Sequence, residues 1–199
     1  MKNKELEKLL KEGLKTEKVS ENVEQRGVGD ILEKRTAELV EHAVGSSYFK
    51  PPESKRSIDD FTLVYNKQTQ LYDVKTHFRQ KKGGFSMPNL ISVKRLRNDV
   101  LIDHTKTLSY IFIHYTREKK DEVVIQDIRV RYIWELDWSI LRIGALGKGQ
   151  LQIANANNDL KFTGEGKEKW FETLKDEVKK FYEKEIEKTG KEIELWESY

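Results

Sequence analysis

The stretch Asp60-Phe-Thr-Leu-Val-Tyr-Asn-Lys-Gln-Thr-Gln-Leu-Tyr-Asp-Val-Lys-Thr-His-Phe78 decides how the rest of the chain is read. Residues 61–65 and 71–78 are rich in β-branched and aromatic side chains and flank the turn-like tetrad Asn66-Lys-Gln-Thr69, which spells a β-hairpin. Side chains alternate faces along a strand, so Asp73 and Lys75 point one way while Tyr72 and Val74 point the other. A turn symmetric about Lys67-Gln68 sets Asp60 opposite Lys75 and diagonal to Asp73, with all three on one face. The reverse face then collects Phe61, Leu63, Tyr72 and Val74. One side reads as packing, the other as a polar site mounted on a rigid sheet.

Working outward, Leu6, Leu9, Leu10 and Leu14 recur at helical spacing within residues 3–18, an amphipathic helix whose stripe needs a partner in this chain or in a second copy. A second helix is expected to start at Asp30, which can accept from free backbone amides, with Ile31, Leu32, Leu39 and Val40 inward. Pro51-Pro52 interrupts helical structure. Pro88 is expected to open a helix running to Leu101, on the spacing of Leu90, Val93, Leu96 and Val100. Strands follow around residues 108–114 and 123–136, then a glycine-marked loop at Gly144, Gly147 and Gly149. A long charged helix over about 165–188 comes last, with Trp170, Leu174, Val178 and Phe181 on one face. Trp134, Trp138 and Trp170 read as core or interface residues. The order of elements implies an α/β or α+β domain over residues 1–199 with a mixed sheet, residues 1–20 forming a helical extension that offers a dimer contact.

With no cysteine among 199 residues, disulfides, thiol nucleophiles and Cys-ligated zinc are excluded. Carboxylates, amines, histidines or a hard metal must carry any hydrolytic chemistry. No apolar run approaches a membrane span, and the start lacks a secretory signal, so a cytoplasmic location is expected. The net charge of +3 conceals an uneven distribution. From Asp73 to Asp99 no acid intervenes, while Lys75, Arg79, Lys81, Lys82, Lys94, Arg95 and Arg97 all fall there; the segment after Glu165 is net acidic. Such a chain offers one surface to a polyanion, although chance clustering on a solvated surface reads the same way. His42, His77, His104 and His114 are too scattered for a zinc or nucleophile-base set, and His77 reads as a surface histidine or a phosphate contact.

Two carboxylates and the Val74 carbonyl suit Mg²⁺, which holds a phosphate and lowers the pKa of a bound water, while Lys75 positions that water or helps it ionise. Asp60, Asp73 and Val74 are thus the candidate metal ligands, and Asp60, Asp73 and Lys75 the candidate catalytic set. The competing reading is a cross-strand salt bridge on an exposed sheet face.

Asp60 followed by Asp73-Val-Lys75 resembles the catalytic pattern of the PD-(D/E)xK nucleases. Leu71-Tyr-Asp-Val-Lys-Thr76 with Met87-Pro-Asn-Leu-Ile-Ser-Val-Lys-Arg-Leu96 looks like the corresponding run in blunt-cutting type II restriction enzymes of the HincII and EcoRV branch. The chain departs from the motif in carrying Asp59 where the family has proline, and in a longer segment between Lys75 and Pro88. Gly29-Asp-Ile-Leu-Glu-Lys34 is similar to that branch's early helix and implies Glu33 as a supporting acid. Ile143-Gly-Ala-Leu-Gly-Lys-Gly-Gln150 falls where the branch keeps a base-reading loop, which implies DNA contacts from Gly144, Ala145, Gly147, Lys148 and Gln150; the plain reading is a glycine-rich connection. Lys81, Lys82, Phe85, Ser86 and Asn89 are implied near the centre of the DNA site, with Phe85 either a wedge between base steps or a core phenylalanine. The resemblance implies a Mg²⁺-dependent restriction endonuclease acting as a homodimer on a short palindrome of double-stranded DNA. A repair or structure-selective nuclease, or a DNA-binding module without catalysis, also fits these residues.

Overall fold

The computed structural model describes residues 1–20, 23–54, 57–78, 89–119, 121–144, 149–154 and 159–199. A six-stranded mixed sheet in the order β1-β7-β6-β4-β3-β2 forms the centre of an α+β fold. Its strands are β1 (Thr16–Lys18), β2 (Phe49–Lys50), β3 (Phe61–Tyr65), β4 (Gln68–Phe78), β6 (Lys106–Lys119) and β7 (Glu122–Tyr132). Only the β4–β6 pairing is parallel. A second sheet, β5-β9-β8, comprises β5 (Asn89–Ser92), β8 (Leu141–Gly144) and β9 (Gln150–Ile153). The helices are α1 (Asn3–Gly13), α2 (Gln25–Val44), the short α3 (Val93–Leu96), continued as a wider turn over Arg97–Leu101, and α4 (Lys167–Glu197).

Strand β6 shows why the sheet has two covered faces. Ile111 and Ile113 enter the core beneath α1 and α2, while Leu108, Tyr110 and Phe112 enter a second core with Leu90, Leu96, Leu151, Ile153 and Trp170. A strand buried on both sides reads as a near-continuous apolar run, as Leu-Ser-Tyr-Ile-Phe-Ile does here. Helix α1 finds its partner inside the chain, since Leu6 and Leu10 are fully buried in the first core. Polar contacts dock the same helix: Gln70 Nε2 donates to Asn3 Oδ1 at 2.8 Å, and Val130 N–H donates to Glu7 Oε2 at 3.0 Å. Trp170 is buried and donates its indole N–H to the Leu136 carbonyl at 2.7 Å. No helix among the described residues is long and apolar enough to cross a membrane.

Three expectations need correcting. The hairpin turns at Asn66-Lys67, both in the left-handed region with φ of 47° and 65°, a two-residue loop whose twist matches that of its strands. Phe61 therefore pairs with Tyr72, and the pairing of Asp60 with Lys75 does not form. The displacement is by two residues, so face alternation survives: Phe61, Leu63, Tyr72 and Val74 still share the first core. Helix α2 begins at Gln25, not Asp30, and encloses Gly27 and Gly29. Finally, residues 89–92 form a strand paired with β9 where a helix was expected, because a short apolar run satisfies either period and tertiary pairing decides.

Candidate active site

Asp60 stands immediately before β3 and closes the end of the hairpin. Its N–H donates to the Tyr72 carbonyl at 2.8 Å, and its Oδ2 accepts from the Val74 N–H at 2.6 Å. The N–H and C=O of one strand residue lie on the same edge, so the Val74 carbonyl also borders Asp60. Two residues of β4 face away from the first core next to it: Asp73, nearly buried, and Lys75, half-buried, whose Nζ donates to Asp73 Oδ1 at 2.6 Å. From α2, Glu33 arrives close enough to the Asp60 carboxyl for the two charges to act on each other. The close approach of α2 to β4 explains its arrival: a Cβ on Gly29 would meet Thr76 Oγ1 at 3.0 Å. Glycine inside a helix is costly on propensity alone, and here it sets the spacing of helix to sheet.

This face is not the exposed sheet surface of the competing salt-bridge reading. Asp60, Asp73 and Lys75 line a cleft of about 250 Å³, walled on the opposite side by Leu90, Ile91, Ser92, Arg95 and Gln150 from β5, α3 and β9. Burial pushes the Asp73 carboxyl up to about 8; Lys75 opposes the shift and Asp60 adds to it. Glu33 is pushed up to about 7, first by burial and then by the neighbouring Asp60 and Asp30 carboxyls. Anionic oxygens crowded into a partly dry cleft raise one another's proton affinity, and a divalent cation relieves the same repulsion. Among the described residues no three His, Asp or Glu side chains stand close enough to hold a metal by themselves. The donors present, two carboxylates lining the cleft with the Val74 backbone next to Asp60, fit a cation that keeps several waters, as Mg²⁺ does.

Gln150 reaches the cleft wall, while Gly144 lies in β8 pressed against the Gln152 side chain. Asn89 is exposed in β5, and its Oδ1 accepts from Gln152 Nε2 at 2.6 Å. Lys81, Lys82, Phe85, Ser86, Ala145, Gly147 and Lys148 lie outside the described residues. His77 is a correction: it is buried against Phe112 and His114, with ring centroids 5.1 Å apart in the histidine pair. Its ring neighbours come from β6, the parallel strand paired with β4, and nothing in the local sequence announced that cover. Sequence reasoning also missed Ser92 and Arg95 as cleft residues: Ser92 was assigned to a helix and ends β5 instead, and Arg95 lies in the expected helix, whose packing against the cleft depends on the pairing of β5 with β9.

The NlaIV restriction endonuclease is among the solved structures similar to this chain, with a TM-score of 0.56 over 84% of this chain and 72% of that one, at 13% sequence identity. The likeness is one of fold: the chain has a restriction-endonuclease-like core. No protein-family model and no curated protein matches the sequence.

Proposed function

We propose that the chain is a Mg²⁺-dependent endonuclease that hydrolyses phosphodiester bonds of double-stranded DNA, a type II restriction enzyme with Asp60, Asp73 and Lys75 as its catalytic set. The observation that carries this reading is the convergence of those three residues in one cleft, on the fold that the chain shares with a restriction endonuclease. Asp60, Asp73 and the Val74 carbonyl would hold the metal. When bound, Mg²⁺ offsets charge developing on the phosphate and makes a coordinated water acidic. Lys75, anchored to Asp73, would position the attacking water and, by its positive charge, help it ionise, with Glu33 as a supporting acid beside Asp60. The walls of Leu90 and Ile91 limit bulk water and so strengthen each charge interaction inside.

The motif runs at 60–75 and 87–96 favour the HincII and EcoRV branch, and with it a homodimer placing one cleft on each strand of a palindrome. Gln150 is the described loop residue nearest that task, because it borders the cleft from the hairpin joining β8 to β9.

Supercoiled plasmid incubated with purified protein and Mg²⁺ is expected to yield discrete bands, with a chelator stopping the reaction. Asp73→Ala and Lys75→Ala are each expected to lower the rate by about a thousandfold. Variants that cleave like the wild type would refute the assignment. DNA that is retarded yet intact would make the chain a binding module, and nicks set by DNA structure would make it a repair enzyme.

A further inference from the structure

We infer that Arg95 binds substrate, its guanidinium gripping a DNA phosphate in the cleft beside Asp73. The inference rests on the nuclease reading and adds to it a residue that the catalytic pattern does not contain.

Charge balance motivates it. Asp60 and Asp73 present carboxylates to a polyanionic substrate, and Lys75 is already engaged with Asp73 at 2.6 Å. Among the described lining residues, Arg95 is the second cation, on the wall opposite those carboxylates. Its backbone is fixed from two sides. Ser92 Oγ accepts from the Arg95 N–H at 3.3 Å, and the Val93 N–H donates to the Gly149 carbonyl at 2.9 Å, tying the start of α3 to the hairpin between β8 and β9. Val93 and Leu96 are buried in the second core, which leaves Arg95 on the outer side of this turn. Its guanidinium pairs with Asp99 at 3.8 Å, and both side chains are nearly half exposed. Exposed pairs of that length contribute little to stability. A guanidinium offers a planar fork matched to two phosphate oxygens, which an ammonium cannot supply.

Cleavage of a duplex by the full chain, measured across a series of KCl concentrations, tests the inference. Arg95→Ala is expected to raise KM about tenfold and to lower the slope of log(1/KM) against log[KCl] by about 0.9, the loss of one phosphate contact. Arg95→Lys is expected to keep the slope, since the cation remains in the cleft wall. An Arg95→Ala enzyme with wild-type slope overturns the inference, whether or not its kcat falls, because a merely structural role moves rate without releasing counterions. Inactivity of the wild type itself, or full activity of Asp73→Ala, would instead strike the nuclease reading.

Discussion

At Asp73 and Glu33, burial and neighbouring carboxyls raise proton affinity, the same crowding on which the proposed metal site would draw. With carboxyls raised to about 8 and about 7, the metal-free protein holds protons there that an unfolded chain releases near its ordinary carboxylate range. A raised carboxyl favours the folded state at low pH, and that contribution is lost as pH climbs through the folded values. The metal-free protein is therefore expected to melt at lower temperature at pH 9 than at pH 6, with Asp73→Asn flattening the dependence; calorimetry checks it, and a melting temperature that rises over this window contradicts it. The pair Asp73 and Lys75 was legible in the sequence because a spacing of two always shares a strand face. The bond from the Val74 N–H to Asp60 was not, because it depends on where β3 begins.

Elements deliver these residues, and their boundaries decide more than their existence. Helix α2 reaches Asp60 through Glu33 because Gly29 allows close approach to β4, yet propensity placed that glycine outside the helix. The hairpin was legible and its register was not, since Asn66 and Lys67 accept left-handed geometry that the tetrad did not specify. Farther along β4, burial pushes His77 down to about 3, with His114 and Lys75 adding to the shift. A depressed histidine contributes stability present above its unfolded value, about 6.5, and lost as pH falls toward the folded one. His77→Phe is expected to weaken the loss of stability between pH 6.5 and 4, as followed by denaturant melts. An unchanged acid limb would mean that His77 does not supply it.

Across the molecule, two cores clamp the central sheet and the cleft opens between that sheet and β5-β9-β8. The fold class was readable from alternating patterns, whereas the cover over the cleft face depended on pairings distant in sequence, such as Ser92 with Gln150. Helix α1 belongs to the body: Leu10→Ala is expected to cost about 2–5 kcal/mol in denaturant unfolding, the range for a buried leucine, and a loss under about 0.5 kcal/mol would contradict that placement. Function on this architecture reduces to whether the cleft's carboxylates share a cation. Titrating Mn²⁺ into the metal-free protein at pH 8.5, with the free ion read by electron paramagnetic resonance, tests that most directly. The account expects binding in the wild type and in Lys75→Ala, weakened about tenfold or more in Asp60→Asn and in Asp73→Asn. Equal binding by the wild type and both asparagine variants would contradict it.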